Sequence, residues 1–132
     1  MIKQYILIRT DEKFMVGKIM AHVGHNVLEA YLKIDMKKHY DGTWWIFNTW
    51  HDKYDHIKIV LDGGSKENIE DLIKRAKRLR MPTSFIIDIH LEKKIVGVIG
   101  PVTNLTSKHL GLDKLKLYRL WFIAKFVLKK LI

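Results

Sequence analysis

The sequence reads as an α/β fold built on a mixed sheet of four strands. Three observations predict it. Short apolar, β-branched runs alternate along the chain with longer stretches of helical periodicity. Glu92-Lys93-Lys94 has the length and polarity of a tight turn, so the apolar runs on either side pair antiparallel. The chain has 132 residues, 48% hydrophobic and 11% aromatic, enough for one filled core and too apolar for a disordered or low-complexity class.

Each element follows from its local pattern. Gln4–Arg9 (QYILIR) is a buried strand. Thr10-Asp11-Glu12 supplies turn chemistry before a helix from about Gly17 to Met36, whose apolar stripe is Ile19, Val23, Val27, Ala30, Tyr31 and Ile34. Asp41-Gly42-Thr43 breaks the chain. The aromatic segment Trp44–Trp50 is a short helix held on the body, because three Trp in seven residues are hard to leave in water. Ile57–Leu61 is the second strand, and Asp62-Gly63-Gly64-Ser65 a turn, with Ser65 capping a helix through about Leu79. Pro82 follows that helix. Ser84–Ile89 is the third strand, Ile95–Ile99 the fourth, Gly100-Pro101 closes it, and the remainder is helical.

Composition narrows the chemistry. No cysteine is present, which excludes disulfide scaffolds, zinc ribbons and thiol nucleophiles and fits a reducing, cytoplasmic setting. The net charge of +10 points to a polyanionic partner, and it is uneven. Residues 1–113 carry a balance of +4, and residues 114–132 carry six basic side chains and no acid. A second cluster comprises Lys74, Arg75, Lys77, Arg78 and Arg80. The start, Met1-Ile2-Lys3-Gln4, lacks the form of a secretory signal. The apolar stretch Leu117–Ile132 is too short and too charged for an ordinary spanning helix. From residue 119 it reads as a basic amphipathic helical extension. Its surplus of apolar residues points to its own domain, a homodimer mate, a protein target or a membrane surface.

Two features carry candidate chemistry. Lys18, His22, His25 and Glu29 fall at i, i+4, i+7 and i+11, on one line of the first helix. Lys18 sits at the helix N-terminus, where the dipole favours an anion, so a Lys with backbone N–H groups there can hold a phosphate or a carbonyl oxygen. A metal reading of His22-x-x-His25 lacks a third ligand. Gly17-Lys18 lacks the other residues of a phosphate-binding P-loop. The second feature is Asp88, a carboxylate in an apolar strand, costly there unless paired. Strand ends and helix N-termini meet at one sheet edge, which puts Asp88 within reach of Lys18.

In this order, QYILIRTDEKFMVGKIMAHVGH, Trp50, the KIV strand, KRAK, Met81-Pro82-Thr83-Ser84-Phe85-Ile86 with Asp88, Gly100-Pro101 and Leu115-Lys116-Leu117-Tyr118 resemble the type 2 peptidyl-tRNA hydrolase family over about residues 2–118. The resemblance implies an α/β three-layer sandwich with helices on both faces of a four-stranded mixed sheet. It implies hydrolysis of the ester joining a peptide to tRNA, with no metal and no organic cofactor. It places the functional Lys at Lys18 and the functional Asp at Asp88, with Thr10 and His25 in supporting positions. His22 stands where the family has Gln. After Asp88 the chain runs Ile-His-Leu-Glu-Lys-Lys-Ile-Val, about five residues shorter than the family pattern and without its threonines.

The expected mechanism gives Lys18 the oxyanion or a phosphate and Asp88 the orientation of Lys18 or of water. His22 replaces the amide's hydrogen bond and serves as general base, and His25 orients its neighbours. The Lys74–Arg80 cluster and the basic tail supply phosphate contacts on the acceptor stem. The second reading is a lapsed family member that binds tRNA or a protein without hydrolysis, favoured by the missing threonines.

Overall fold

A computed structural model describes residues 1–36 and 42–119, without the side chains of residues 35, 36, 42 and 43. Asp41 of the expected chain break and residues 120–132 of the expected extension lie outside the described residues. The element order is β1 (Ile2–Arg9), α1 (Val16–Met36), α2 (Gly42–Lys53), β2 (Lys58–Gly64), α3 (Lys66–Arg78), β3 (Thr83–Ser84), β4 (Ile87–Asp88), β5 (Lys93–Lys94), β6 (Val96–Thr103) and α4 (Asn104–Leu110), then a 3-10 turn at Leu112–Lys114. The main sheet has the order β2-β1-β6-β3, with β1 and β2 parallel and β6 antiparallel to both β1 and β3. It is the mixed four-stranded sheet the sequence predicts.

β1 is buried along nearly its whole length because both of its faces are covered. Ile6 and Ile8 pack with Ile19 and Ala30 of α1, and with Val96 and Val98. Tyr5 and Leu7 pack against Ile69, Leu72, Ile73 and Ala76 of α3, and against Leu110 of α4. Period-2 alternation on one strand thus feeds two cores, and the fold has three layers. Ser65 caps α3 as expected, its hydroxyl accepting from the Asn68 N–H at 3.1 Å. Among the described residues no helix is long and apolar enough to cross a membrane.

Four local expectations are corrected. The strand expected over Ser84–Ile89 is split: Thr83 and Ser84 pair with Ile99 and Val98, whereas Ile87 and Asp88 pair with Lys94 and Lys93 in a separate ladder. The break has a cause in α1. The Asn26 side-chain oxygen accepts from the Ile86 N–H at 3.0 Å and the Ser84 hydroxyl at 2.7 Å, so a helix side chain takes a backbone donor that a longer strand would spend on its ladder. The turn lies at Ile89–Glu92, ahead of Lys93 and Lys94, which are themselves β5.

Asp62-Gly63-Gly64 extends β2 where a turn was expected. A Cβ on Gly63 would come within 2.7 Å of Ile69, so the glycine serves close strand–helix packing. Finally, β6 runs through Gly100-Pro101 to Thr103, so helix starts only at Asn104. Pro101 is tolerated because β3 pairs only with Val98 and Ile99, leaving β6 an edge beyond that point.

The functional consequence is one crowded sheet edge. The chain leaves β1 there into α1 and leaves β2 into α3. The β4–β5 hairpin is tied to the same edge, where Arg9 donates to the Lys94 carbonyl at 2.9 Å.

Candidate active site

Lys18 is the third residue of α1, where aligned backbone dipoles make a cation unfavourable by itself. Asp88 supplies the compensation: Lys18 Nζ donates to its Oδ2 at 3.0 Å. His22, one turn on, places Nε2 at 2.8 Å from the same oxygen. The other carboxylate oxygen accepts the N–H groups of His90 and Leu91, both at 2.8 Å, in the turn that replaces the expected strand end. Asp88 is only 4% exposed, and its four acceptor positions are filled. The Leu91 N–H, then Lys18, with help from His22 and His90, hold its carboxyl far below the ordinary range against the opposing effect of burial. Asp88 is therefore a fixed anion that orients its donors and makes a poor base.

The two histidines differ in exposure, His22 being buried and His25 exposed. An ionised carboxylate only accepts, so the His22 ring donates through Nε2. Its Nδ1 is buried with no hydrogen-bond partner among the described residues. His22 thus has no nitrogen open to a water at the surface, and it anchors Asp88. His25 is exposed, with its ring centroid 6.2 Å from that of His22 and the planes 29° apart. It is the accessible imidazole of the line.

Two residues outside the expected set hold this geometry. Asn26 is fully buried, donates to the His22 carbonyl at 2.8 Å, and binds Ser84 and Ile86, so it connects α1 to the segment carrying Asp88. The available signal was its position, i+4 from His22 beside an apolar stripe. Arg9 bonds Asp11 at 2.9 Å and the Lys94 carbonyl, and lies 5.3 Å over the Phe14 ring. It joins the loop leading to Lys18 with the hairpin leading from Asp88. The Asp11 carboxylate, mainly through their hydrogen bond, raises the pKa of the guanidinium, and the guanidinium lowers that of Asp11.

The structure does not bring the remaining predicted residues into the cluster. Thr10 bonds Asp62 through its hydroxyl and Gly64 through its N–H, tying the ends of β1 and β2. Lys74, Arg75, Lys77 and Arg78 lie in the C-terminal half of α3, and Arg80 just beyond it. That helix covers the sheet face opposite α1, and its 13 residues span about 20 Å. The basic cluster is therefore on the other face of the sheet and towards the other end of the fold. Arg75 is paired with Asp71 at 3.1 Å. Among the described residues no group of three or more His, Asp or Glu is placed to hold a metal ion, and His22 Nε2 is engaged by Asp88.

Comparison with known proteins gives a consistent answer. A family model described as peptidyl-tRNA hydrolase PTH2 matches residues 2–118. A peptidyl-tRNA hydrolase of Pyrobaculum aerophilum is 32% identical over 127 residues, covering 89% of this chain and 98% of that protein. One from Staphylothermus marinus is 32% identical over 109 residues, covering 83% of this chain and 80% of its own length. A probable peptidyl-tRNA hydrolase 2 of Dictyostelium discoideum is 31% identical over 121 residues, covering 83% of this chain and 54% of the longer relative.

Proposed function

The chain belongs to the PTH2 family of peptidyl-tRNA hydrolases, and we propose that it hydrolyses the peptide–tRNA ester at the Lys18–His22–Asp88 cluster. The observation that carries this reading is the saturated Asp88 carboxylate, which fixes a half-exposed ammonium at the N-terminus of a helix. Attack of water on the ester carbonyl develops negative charge on its oxygen. An ammonium already oriented, beside free N–H groups of a helix start, stabilises that charge without reorganising.

We assign Lys18 to the oxyanion, Asp88 to holding Lys18, and His22 to holding Asp88. His25 is assigned the proton transfer because it is the exposed imidazole beside the cluster. In that step water gives a proton to the ring and forms the bond to the carbonyl carbon. The bond from that carbon to the ribose oxygen breaks, and the ring returns the proton to the leaving oxygen. Neither a metal nor an organic cofactor has a part in it.

tRNA phosphates near the ester would meet the exposed Lys13 and the partly buried Lys66 at the same edge. The Lys74–Arg80 cluster would meet the tRNA, if at all, away from the scissile bond. A cytoplasmic location accords with such a substrate and with the cysteine-free composition.

Single-turnover release of peptide from peptidyl-tRNA tests the assignment. Lys18→Ala is expected to keep its fold by circular dichroism and to lose about 10²–10³-fold in rate. A folded variant cleaving at the wild-type rate would place the oxyanion site elsewhere.

A further inference from the structure

The end of the sheet opposite the ester site carries a second pair of imidazoles, which the proposed reaction does not use. β1 and β2 are parallel, and Lys18 follows the last residue of β1, whereas His51, near the end of α2, and His56 precede the first residue of β2. His51 Nδ1 faces His56 Nε2, with the ring centroids 4.4 Å apart and the planes at 55°. We propose that these two nitrogens form a site for a divalent ion of the nickel, copper or zinc class, with water completing its coordination.

The chemistry of the pair supports that ligand. Where two uncharged imidazoles meet nitrogen to nitrogen, one ring donates and the other accepts. An ion between them draws a lone pair from each. Each ring keeps one proton, then on the nitrogen turned away from the ion. For His51 that nitrogen is Nε2, and Asp52 Oδ1 lies 3.9 Å from it. A carboxylate beside the outer nitrogen of a ligating histidine favours the required tautomer and makes the ring a better donor. Imidazole nitrogens suit ions of this class, whereas magnesium and calcium take oxygen ligands.

Both rings are held in place without an ion. The His51 ring lies along that of Phe47, with centroids 6.0 Å apart and planes at 7°. The His56 ring meets Trp50 edge-on at 4.9 Å and 81°. Trp50 is itself buried, and its Nε1 donates to the Ile57 carbonyl at 2.9 Å. The backbone supplies the approach. Asp55 and His56 are successive residues in the left-handed region, with φ of 50° and 55°, and the His56 N–H donates back to the Trp50 carbonyl at 3.2 Å. Asp and His adopt this region more readily than most side chains. The reversal returns His56 onto a helix side chain five residues earlier. Little freedom is left for an ion to remove.

Access and charge also fit. His51 is 52% exposed, so an ion reaches the pair from solvent. The neighbouring cation, Lys58, donates to the His56 carbonyl at 3.3 Å and lies over the Trp50 ring. Two protein donors are fewer than the three or four of a resident zinc centre, so the bound ion exchanges readily. While bound, it clips the end of α2 to the start of β2.

Calorimetric titration of the untagged full chain with zinc, nickel and magnesium chlorides tests the proposal. Zinc and nickel are expected to bind and magnesium to give no heat of binding. His51→Gln and His56→Asn are each expected to weaken the tightest zinc site by about tenfold or more. Gln keeps a good helix former at position 51, and Asn tolerates the left-handed backbone at position 56. His109→Ala, at an exposed histidine elsewhere in the fold, should keep the wild-type affinity.

A second measurement uses only the wild-type chain and so does not depend on any variant folding. Trace copper(II) in amide NMR spectra is expected to broaden residues 50–58 first. Unchanged zinc affinity in either folded histidine variant overturns the proposal. So does magnesium binding as tight as zinc, or broadening that begins around His25, His90 or His109.

Discussion

The two flanks of α1 are built in opposite ways. On one, Lys18, His22 and Asn26 are polar and engaged, bonded to Asp88, Ser84, Ile86 and the helix's own backbone. On the other, Met20, Leu28 and Tyr31 are apolar and exposed. An ordinary surface helix turns polar residues to water and apolar ones to the core, and α1 turns Ile19, Val23, Val27, Ala30 and Ile34 inward in that way. The contrast teaches that polarity alone does not decide burial. A polar flank can be buried when another segment supplies partners for it, and here residues 84–91 bond Lys18, His22 and Asn26. An apolar flank remains open where the described segments cover it only in part, as Phe47 does at Tyr31.

Breaking the polar flank at its centre has the largest expected effect. Asp88→Asn offers one acceptor oxygen and an NH₂ group to four donors, so some donors must face a donor. Peptide release is expected to fall about 10²–10³-fold with a lower melting temperature. The pH dependence sharpens the point. The Asp88 carboxyl is depressed in the folded protein, so its stabilisation is complete above the ordinary carboxylate range and is lost only as pH falls through the lowered value. In urea titrations the stability gap between wild type and Asp88→Asn should stay constant from neutrality to about pH 5, then shrink in strong acid. A gap that closes near neutrality would contradict the hydrogen-bonded anion.

Next is the exposed member of the polar line. His25→Ala is expected to lower the rate about 10²-fold with little change in melting, and added imidazole should restore part of the activity. No rescue, with wild-type turnover, would remove His25 from the proton transfer. Asn26→Ala acts through structure, leaving the Ile86 N–H and Ser84 hydroxyl without their acceptor. A loss of about 2–4 kcal/mol in urea unfolding is expected, with a lower kcat as Asp88 shifts. Leu28→Ala, on the open flank, should leave kcat unchanged.

The smallest effect concerns the region farthest from both flanks. Replacing Lys74, Arg75, Lys77, Arg78 and Arg80 by Gln is expected to raise KM a few-fold at low salt and flatten its salt dependence, without altering kcat. A large loss of kcat would mean that the far end of α3 meets the substrate near the ester.

Much of this was legible along the chain. The alternation of periods marked the strands and long helices, and the i, i+4, i+7 line singled out Lys18, His22 and His25. The cost of a carboxylate in an apolar run singled out Asp88. Less legible were the places where a distant group overrides a local pattern. Ser84–Ile89 has the composition of one strand, and Asn26, nearly sixty residues earlier, splits it. Gly63 and Gly64 have the composition of a turn, yet β2 runs through both, with Ile69 packed close against Gly63.

The sequence by itself therefore determined the fold class, the helix that carries the candidate site and the residue types gathered there. These depend on periodicity and on burial cost, both properties of neighbouring residues. Only the tertiary structure decided that Asp88 is saturated, that His22 is sealed while His25 is open, and that the Lys74–Arg80 cluster faces away. Each depends on which segments meet across the sheet edge. Hydrogen bonds and exposure are set by partners sixty or seventy residues apart, a distance over which local pattern carries no information.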